Sequence, residues 1–295
     1  MNSKSIRRSL LYVPGDSEKM INKALDLNAD SFILDLEDAV SPAKKELARK
    51  NVKNSIHLFK EKQKEIIVRI NDIKTQHGVL DLEAIIEELP DAIIVPKADE
   101  EAVAIADILV KSTEMRFGIK NFVIEIIPLL ETSHGIVNAF KILSSSNRVS
   151  AVQLGAEDLI NELGIERTNA GKEIEYSRNI VAFAGNACKI DILDTPFTSI
   201  GDDEGLIFDT VNSKSIGFTG KTCIHPSQIQ TVNEVFTPNS EDVDKARQLI
   251  IAFEEAIKLG NGVCIFEGKM IDNPIMERAR KLVSKAENIS SYKRR

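Results

Sequence analysis

Acidic residues crowd the ends of apolar runs in this sequence. In FILDLEDAV, residues 32–40, a stretch of Phe, Ile and Leu ends in Asp35, Glu37 and Asp38. Burying an unpaired carboxylate is costly, so acids beside a core need partners. Arg69, in IIVRIN, is the candidate partner. Alternate strand residues share a face, and Asp35 with Glu37, Ile67 with Arg69 and Asn71, and Glu125 with Glu131 are matched in parity. The Arg69 guanidinium would offer a permanently charged fork to the Glu37 or Asp35 carboxylate. Without that pairing, Asp38 merely precedes the Ser41-Pro42 helix start and Glu37 is a surface acid.

Glu131, in IPLLET, and Asp158, in QLGAED, end consecutive apolar runs. Adjacent strand ends lie roughly 5 Å apart, and two carboxylates that close repel unless one is protonated or a cation sits between them. Mg²⁺ completed by water and substrate oxygens answers that conflict; two solvated loop acids are the plainer alternative. Ser17 to Lys19 open a helix after Pro14-Gly15-Asp16. Its free N–H groups could hold a phosphate, or Asp16 simply caps it. His225-Pro226 ends an apolar run and starts a helix, where a histidine more often caps or packs. No Ser-His-Asp or Cys-His order is legible.

Eight strand-length runs position these groups: SLLYVP (9–14), SFILDLE (31–37), IIVRIN (66–71), AIIVPK (92–97), NFVIEIIPLLE (121–131), VSAVQLGAED (149–158), DILDTPF (191–197) and SIGFTGKTCI (215–224). Helical segments alternate with them over Asp16 to Leu27, Pro42 to Lys62, Leu80 to Leu89 and Glu100 to Thr113. Near-continuous apolar strands between amphipathic helices indicate a parallel sheet, and eight such units close a (β/α)₈ TIM barrel, an α/β fold with its site at the C-terminal strand ends. A doubly wound open sheet is the rival; no GxGxxG turn follows any strand. Beyond residue 224 come a helix over Ser240 to Leu259, a short apolar run GVCIFEG, and a second helix over about Asn273 to Asn288. The expected division is a barrel over 1–230 and a helical extension over 231–295.

The 295 residues are 43% hydrophobic and 28% charged, ordinary for a folded protein of barrel size. A net charge of −7 argues against general nucleic-acid or anionic-membrane binding. Three cysteines without CxxC spacing suggest neither a disulfide framework nor a zinc site. The apolar patch in MNSKSIRRSLLYVPGDSEK is broken by Pro14 and Gly15, too short for a signal or a membrane span, so a reducing cytoplasm is the expected location.

Taken together, RRSLLYVPGDSEKM, ILDLEDAV, IVRIND, AIIVPKAD, IPLLETSHGIVNA, QLGAEDLINELG, GKTCIHPSQI and GKMIDNPIMERAR resemble the citrate lyase beta subunit family, the CitE-like branch of the HpcH/HpaI aldolases. The resemblance spans nearly the whole chain and implies a TIM barrel with a C-terminal extension. It implies a Mg²⁺-dependent lyase that cleaves a carbon–carbon bond in a 3-hydroxy-acyl thioester of citryl, citramalyl or malyl type, carried on coenzyme A or an acyl-carrier protein, into an acetyl thioester and a 2-oxo acid. By motif, Glu131 and Asp158 would hold Mg²⁺ and Arg69 would face the reacting oxygens, with Glu37 and Asp38 orienting it. Arg7, Lys19, Lys221, His225 and Pro226 would line the thioester's phosphates and pantetheine. Asp272, in GKMIDNP, matches an acid/base residue that related lyases present to a neighbouring subunit's barrel; read alone, it caps the last helix. A homo-oligomer, guessed as a trimer, follows, and citrate lyase partner subunits remain open. The resemblance departs at His225, where the citrate lyase subunit proper tends to carry Asn, and at Ser133, where many relatives have Pro or Ala. A class II pyruvate aldolase and a noncatalytic acyl-CoA-binding subunit are the other readings.

Overall fold

The structure is a computed structural model that describes residues 6–119 and 123–292. Eight parallel strands close a barrel in chain order. They are β1 (Ser9–Pro14), β2 (Ser31–Asp35), β3 (Glu65–Arg69), β4 (Ala92–Val95), β5 (Glu125–Leu130), β6 (Ala151–Leu154), β7 (Asp191–Asp194) and β8 (Gly220–Cys223). The connecting helices are α1 (Glu18–Ala24), α2 (Lys45–Glu61), α3 (Gln76–Ile85), α4 (Glu100–Arg116), α5 (Ser133–Val137), α6 (Ala139–Leu143), α7 (Ala156–Leu163), α8 (Glu175–Cys188) and α9 (Asp203–Ile216). The strands are short and apolar because both faces are covered, one by the helices and one by the barrel's own interior.

Strand alternation divides the barrel into layers. Leu10, Ile33, Ile67, Ala92, Ile94, Ile127, Leu129, Ala151 and Leu193 pack as one buried cluster inside it, with Tyr12 against them. Two residues further along β2 and β3, the same parity carries Asp35 and Arg69, which are register partners. The apolar plug therefore sets a dry floor beneath a polar mouth.

Several boundaries differ from the sequence reading, each for a local reason. β3 stops at Arg69, so Asn71 leaves the alternation; its amide donates to Leu36 O and Asp81 Oδ2 and accepts from Lys45 Nζ. α3 starts four residues earlier than expected because the Thr75 hydroxyl caps it, accepting from Gly78 N. Ser17, and not Asp16, caps α1, accepting from Met20 N, while Asp16 pairs with Lys44. Ser41 makes no capping hydrogen bond; Pro42 begins a short 3₁₀ turn that leads into α2. Residues 121 and 122 of the fifth run lie outside the described residues.

The chain divides into two compact units, Arg7–Glu234 and a second in which Ile6 groups with the segment from Val235 onward. α10 (Gln228–Phe236) follows β8. The second unit contains α11 (Ser240–Lys258), a hairpin of β9 (Cys264–Phe266) and β10 (Lys269–Ile271), and α12 (Asn273–Tyr292). Its core gathers Phe253, Ile271 and Met276.

Candidate active site

Asp35 ends β2 inside the barrel and is almost fully buried. Its two oxygens accept from Arg69 Nε at 2.7 Å and Arg69 Nη2 at 2.6 Å. They also accept from the backbone amides of Glu37 and Ala39, at 3.0 and 3.1 Å. Four donors satisfy the buried carboxylate, and its two-pronged contact locks the guanidinium in one plane. The Tyr12 ring lies 4.8 Å from the Arg69 carbon, while the Tyr12 hydroxyl bonds Gln153 across the barrel. Arg69 Nη1 faces outward, 3.0 Å from Glu37 Oε2 and 3.3 Å from Asp38 Oδ2.

The loop after β2 is held from behind. The buried Lys45 ammonium donates to Leu36 O, Glu37 O and Asn71 Oδ1, each at 2.7 Å, so the Glu37 backbone cannot swing away. The Glu37 carboxylate remains only partly satisfied. Its Oε2 is buried without a hydrogen-bond partner, because its approach to Arg69 Nη1 is an ion pair lacking hydrogen-bond alignment. Burial pushes Glu37 up to about 7, with Arg69 opposing and Asp38 adding to the rise.

Glu131 follows β5 directly and is 4% exposed. Its Oε1 accepts from the Lys97 backbone amide at 2.8 Å. Gly155 packs against it so closely that a Cβ there would stand 2.8 Å from Oε2. Burial, then the Glu37 charge, pushes Glu131 up to about 8, and Asp158 contributes. Asp158 is not on a strand end as the sequence suggested; it lies in the first turn of α7, four residues beyond β6. The Lys97 ammonium stands between the acids, 3.5 Å from Glu37 Oε1 and 3.7 Å from Asp158 Oδ2. Burial lowers the Lys97 ammonium, but the charges of Glu37, Asp158 and Glu131 outweigh it and the net shift is upward.

The donor set suits a hard divalent cation. The carboxylates of Glu37, Glu131 and Asp158 interact, one Glu37 oxygen is orphaned, and Glu131 is driven toward protonation by burial first and by its neighbours' charge second, a strain that a cation would relieve. Among the described residues no group of three or more His, Cys, Asp or Glu side chains is close enough to enclose an ion. Magnesium held by two carboxylates and completed by water and substrate oxygens needs no such cage.

Two of the expected thioester contacts stand elsewhere. Arg7 precedes β1 and lies at the N-terminal end of the barrel, where it binds Glu65 at 2.8 Å, Glu125 at 2.6 Å and Ser150 at 3.1 Å. Ser31 also donates to Glu65 there. Glu125 and Glu131 share parity but are six residues apart, about 20 Å along a strand, so Arg7 is at the end opposite to the acids. Lys221 points outward from β8 and is fully buried behind the strands, with Asp194 at 2.7 Å, Asp209 at 2.6 Å and Thr195 O at 2.7 Å. Arg178 of α8 completes that charge-balanced quartet. Neither cation is available to a ligand at the strand C-termini; in each case a buried acid needed it.

Lys19 and His225-Pro226 are exposed on the connections after β1 and β8, which are neighbours in the barrel. His225 Nδ1 is engaged locally with Ser227. Asp272 belongs to the second unit, and its Oδ1 accepts from Ile275 N at 3.2 Å as the cap of α12. Sequence reasoning left Lys97, Tyr12, Gln153 and Gly155 unassigned. The glycine of QLGAED and the lysine of IVPKAD were visible as motif letters, whereas the Tyr12–Gln153 bond spans 141 positions and leaves no local signal.

The family model for HpcH/HpaI aldolase/citrate lyase matches residues 8–226 of this chain. The chain belongs to that family. It is 34% identical over 287 residues to the citrate lyase subunit beta of Leuconostoc mesenteroides subsp. cremoris, covering 97% of this chain and 95% of that protein. It is 35% identical over 290 residues to a (3S)-malyl-CoA thioesterase of Cereibacter sphaeroides, covering 97% and 96%. The protein CitE of Mycobacterium tuberculosis, solved in complex with magnesium, acetoacetate and coenzyme A, superposes with a TM-score of 0.77 at 29% identity over 96% of this chain and 99% of that one. The HpcH/HpaI aldolase/citrate lyase match thus covers most of the barrel unit, including the acids, Arg69 and Gly155.

Proposed function

We propose that this protein is a Mg²⁺-dependent carbon–carbon lyase that cleaves a 3-hydroxy-acyl-CoA of citryl, citramalyl or malyl type into acetyl-CoA and a 2-oxo acid. The observation that carries the reading is the convergence of Glu131, Asp158 and the locked Arg69 on the C-terminal face of a TIM barrel. The magnesium-bound relative and the citrate lyase and malyl-CoA relatives support the same chemistry.

In this reading Glu131 and Asp158 hold the metal, which when bound supplies Lewis-acid polarisation of the departing acid's oxygens. Arg69 turns its Nη1 toward the thioester oxygen on which enolate charge develops as the bond breaks. Its other two nitrogens are committed to Asp35, so little reorganisation accompanies the reaction. As the carbon–carbon bond breaks, the 3-hydroxyl loses its proton to water and becomes the carbonyl of the 2-oxo acid, while Asp272 protonates the methylene carbon of the departing acetyl fragment, so no net proton is consumed; the reverse direction runs both transfers backward. Because Asp272 lies on the extension, the proposal includes a homotrimer in which each extension serves a neighbouring barrel. Lys19 and His225-Pro226 are proposed to border the entry of the thioester. Three free cysteines fit a reducing cytoplasm, and no described helix is long and apolar enough to cross a membrane.

The test is incubation of the purified protein with Mg²⁺ and each of citramalyl-CoA, malyl-CoA and citryl-CoA. Equal release of acetyl-CoA and a 2-oxo acid from one of them, abolished by EDTA and in Glu131→Gln, is expected; no turnover of any would contradict it. The likeness to a malyl-CoA thioesterase favours a second reading, hydrolysis of the thioester. Free CoA with intact malate would mark it.

A further inference from the structure

We propose that the Lys97 ammonium is the resident counter-ion of the acid cluster, standing between Glu37 and Asp158 in the metal-free protein and displaced when the divalent cation binds. This rests on the reading of Glu131 and Asp158 as magnesium ligands. Lys97 is tied to that cluster twice, by its backbone and by its side chain.

The backbone tie is unusual. Lys97 follows β4 in the left-handed region, at φ 48°, a conformation that non-glycine residues rarely adopt. From this conformation its amide donates to Glu131 Oε1. The same residue therefore fixes the carboxylate and delivers a cation to the space beside it.

The side-chain tie is loose enough to be reversible. At 3.5 and 3.7 Å the ammonium is within ion-pair range of Glu37 and Asp158 but lies beyond a good hydrogen bond to either. The side chain is 44% exposed, so its flexible stem can withdraw into water. No other basic side chain among the described residues pairs with Asp158. A tethered monovalent cation that repels or occupies the metal's place makes metal binding an exchange. Once displaced, it leaves a positive charge at the mouth of the site, where an acidic substrate carries carboxylates.

Calorimetric titration with Mg²⁺ at low salt tests this on the wild type, Lys97→Met, Lys97→Arg, Lys97→Gly and Glu131→Gln. Removing the ammonium should tighten Mg²⁺ binding roughly tenfold, about 1.4 kcal/mol, in Met and Gly alike, while Arg stays no tighter than wild type. The glycine variant suits the left-handed backbone, so a folding defect in the methionine variant leaves the test intact. Unchanged or weaker binding in the uncharged variants would overturn the proposal, because a merely structural role can only weaken the site. Failure of the underlying reading looks different: Mg²⁺ would bind Glu131→Gln as tightly as wild type, or not bind the wild type at all.

Discussion

Asp35 and Arg69 are register partners on adjacent parallel strands, and their side chains meet in a two-pronged ion pair of 2.7 and 2.6 Å. The pairing answers why an apolar strand ends in acids. Asp35 neutralises and orients Arg69, while Glu37 and Asp38 approach its remaining nitrogen, Nη1.

Asp35 and Asp38 should differ sharply on mutation. Asp35→Ala removes the two-pronged partner of a nearly buried arginine, leaving it only the Nη1 contacts to Glu37 and Asp38, and strips two backbone amides of their acceptor; it should cost about 3–5 kcal/mol. Asp38→Ala, whose carboxylate is 63% exposed, should cost no more than about 1 kcal/mol. Urea unfolding of the two variants measures the contrast; similar losses would contradict the assignment of Asp35 as the anchor.

Gly155→Ala should disable the site without unfolding the barrel. Its Cβ would meet Glu131 Cβ at 2.6 Å and Oε2 at 2.8 Å, forcing the carboxylate to move. Overpacking of this kind costs about 1–3 kcal/mol. Metal affinity and kcat should both fall at least tenfold, roughly 1.4 kcal/mol, with a circular dichroism spectrum like that of the wild type.

Stability without metal should fall as pH rises. Glu37 and Glu131 are pushed from an ordinary value of 4.5 up to about 7 and about 8. Between those values the folded state holds protons that the unfolded state has released, so unfolding becomes easier with rising pH, by up to about 1.4 kcal/mol per pH unit for each group. The loss is complete above the folded values. Added Mg²⁺ should therefore raise Tm more near pH 8.5 than near pH 5.5, and should release protons on binding near neutrality. A Tm increment independent of pH would contradict the strained-carboxylate account.

Lys221 should matter to folding and not to thioester recognition. Lys221→Met leaves Asp194 and Asp209 with Arg178 alone inside a buried quartet, a loss of about 3–5 kcal/mol. The folded variant should keep the wild-type KM for its thioester. A raised KM with unchanged stability would restore Lys221 to the binding site.

The architecture was legible because eight apolar runs, each bounded by helical segments, leave few topologies, and β1 runs from Ser9 to Pro14 as read. What escaped the sequence was which face each charged residue takes once the strand has ended. Asn71 and Lys221 sit beside catalytic-looking letters yet turn outward, because a buried acid on the helical side needed them. Arg7 stands next to the first strand at its wrong end for a site at the strand C-termini. Motif proximity carries no information on strand polarity, whereas register and parity do.

The acid cluster as a divalent-cation site is most directly tested by soaking crystals in Mn²⁺ and collecting anomalous diffraction at the manganese edge. One strong peak within coordination distance of the Glu131 and Asp158 carboxylates, with the Lys97 ammonium moved away, is the expected result. A map with no peak there at saturating Mn²⁺, or with manganese held by other residues, would contradict the account.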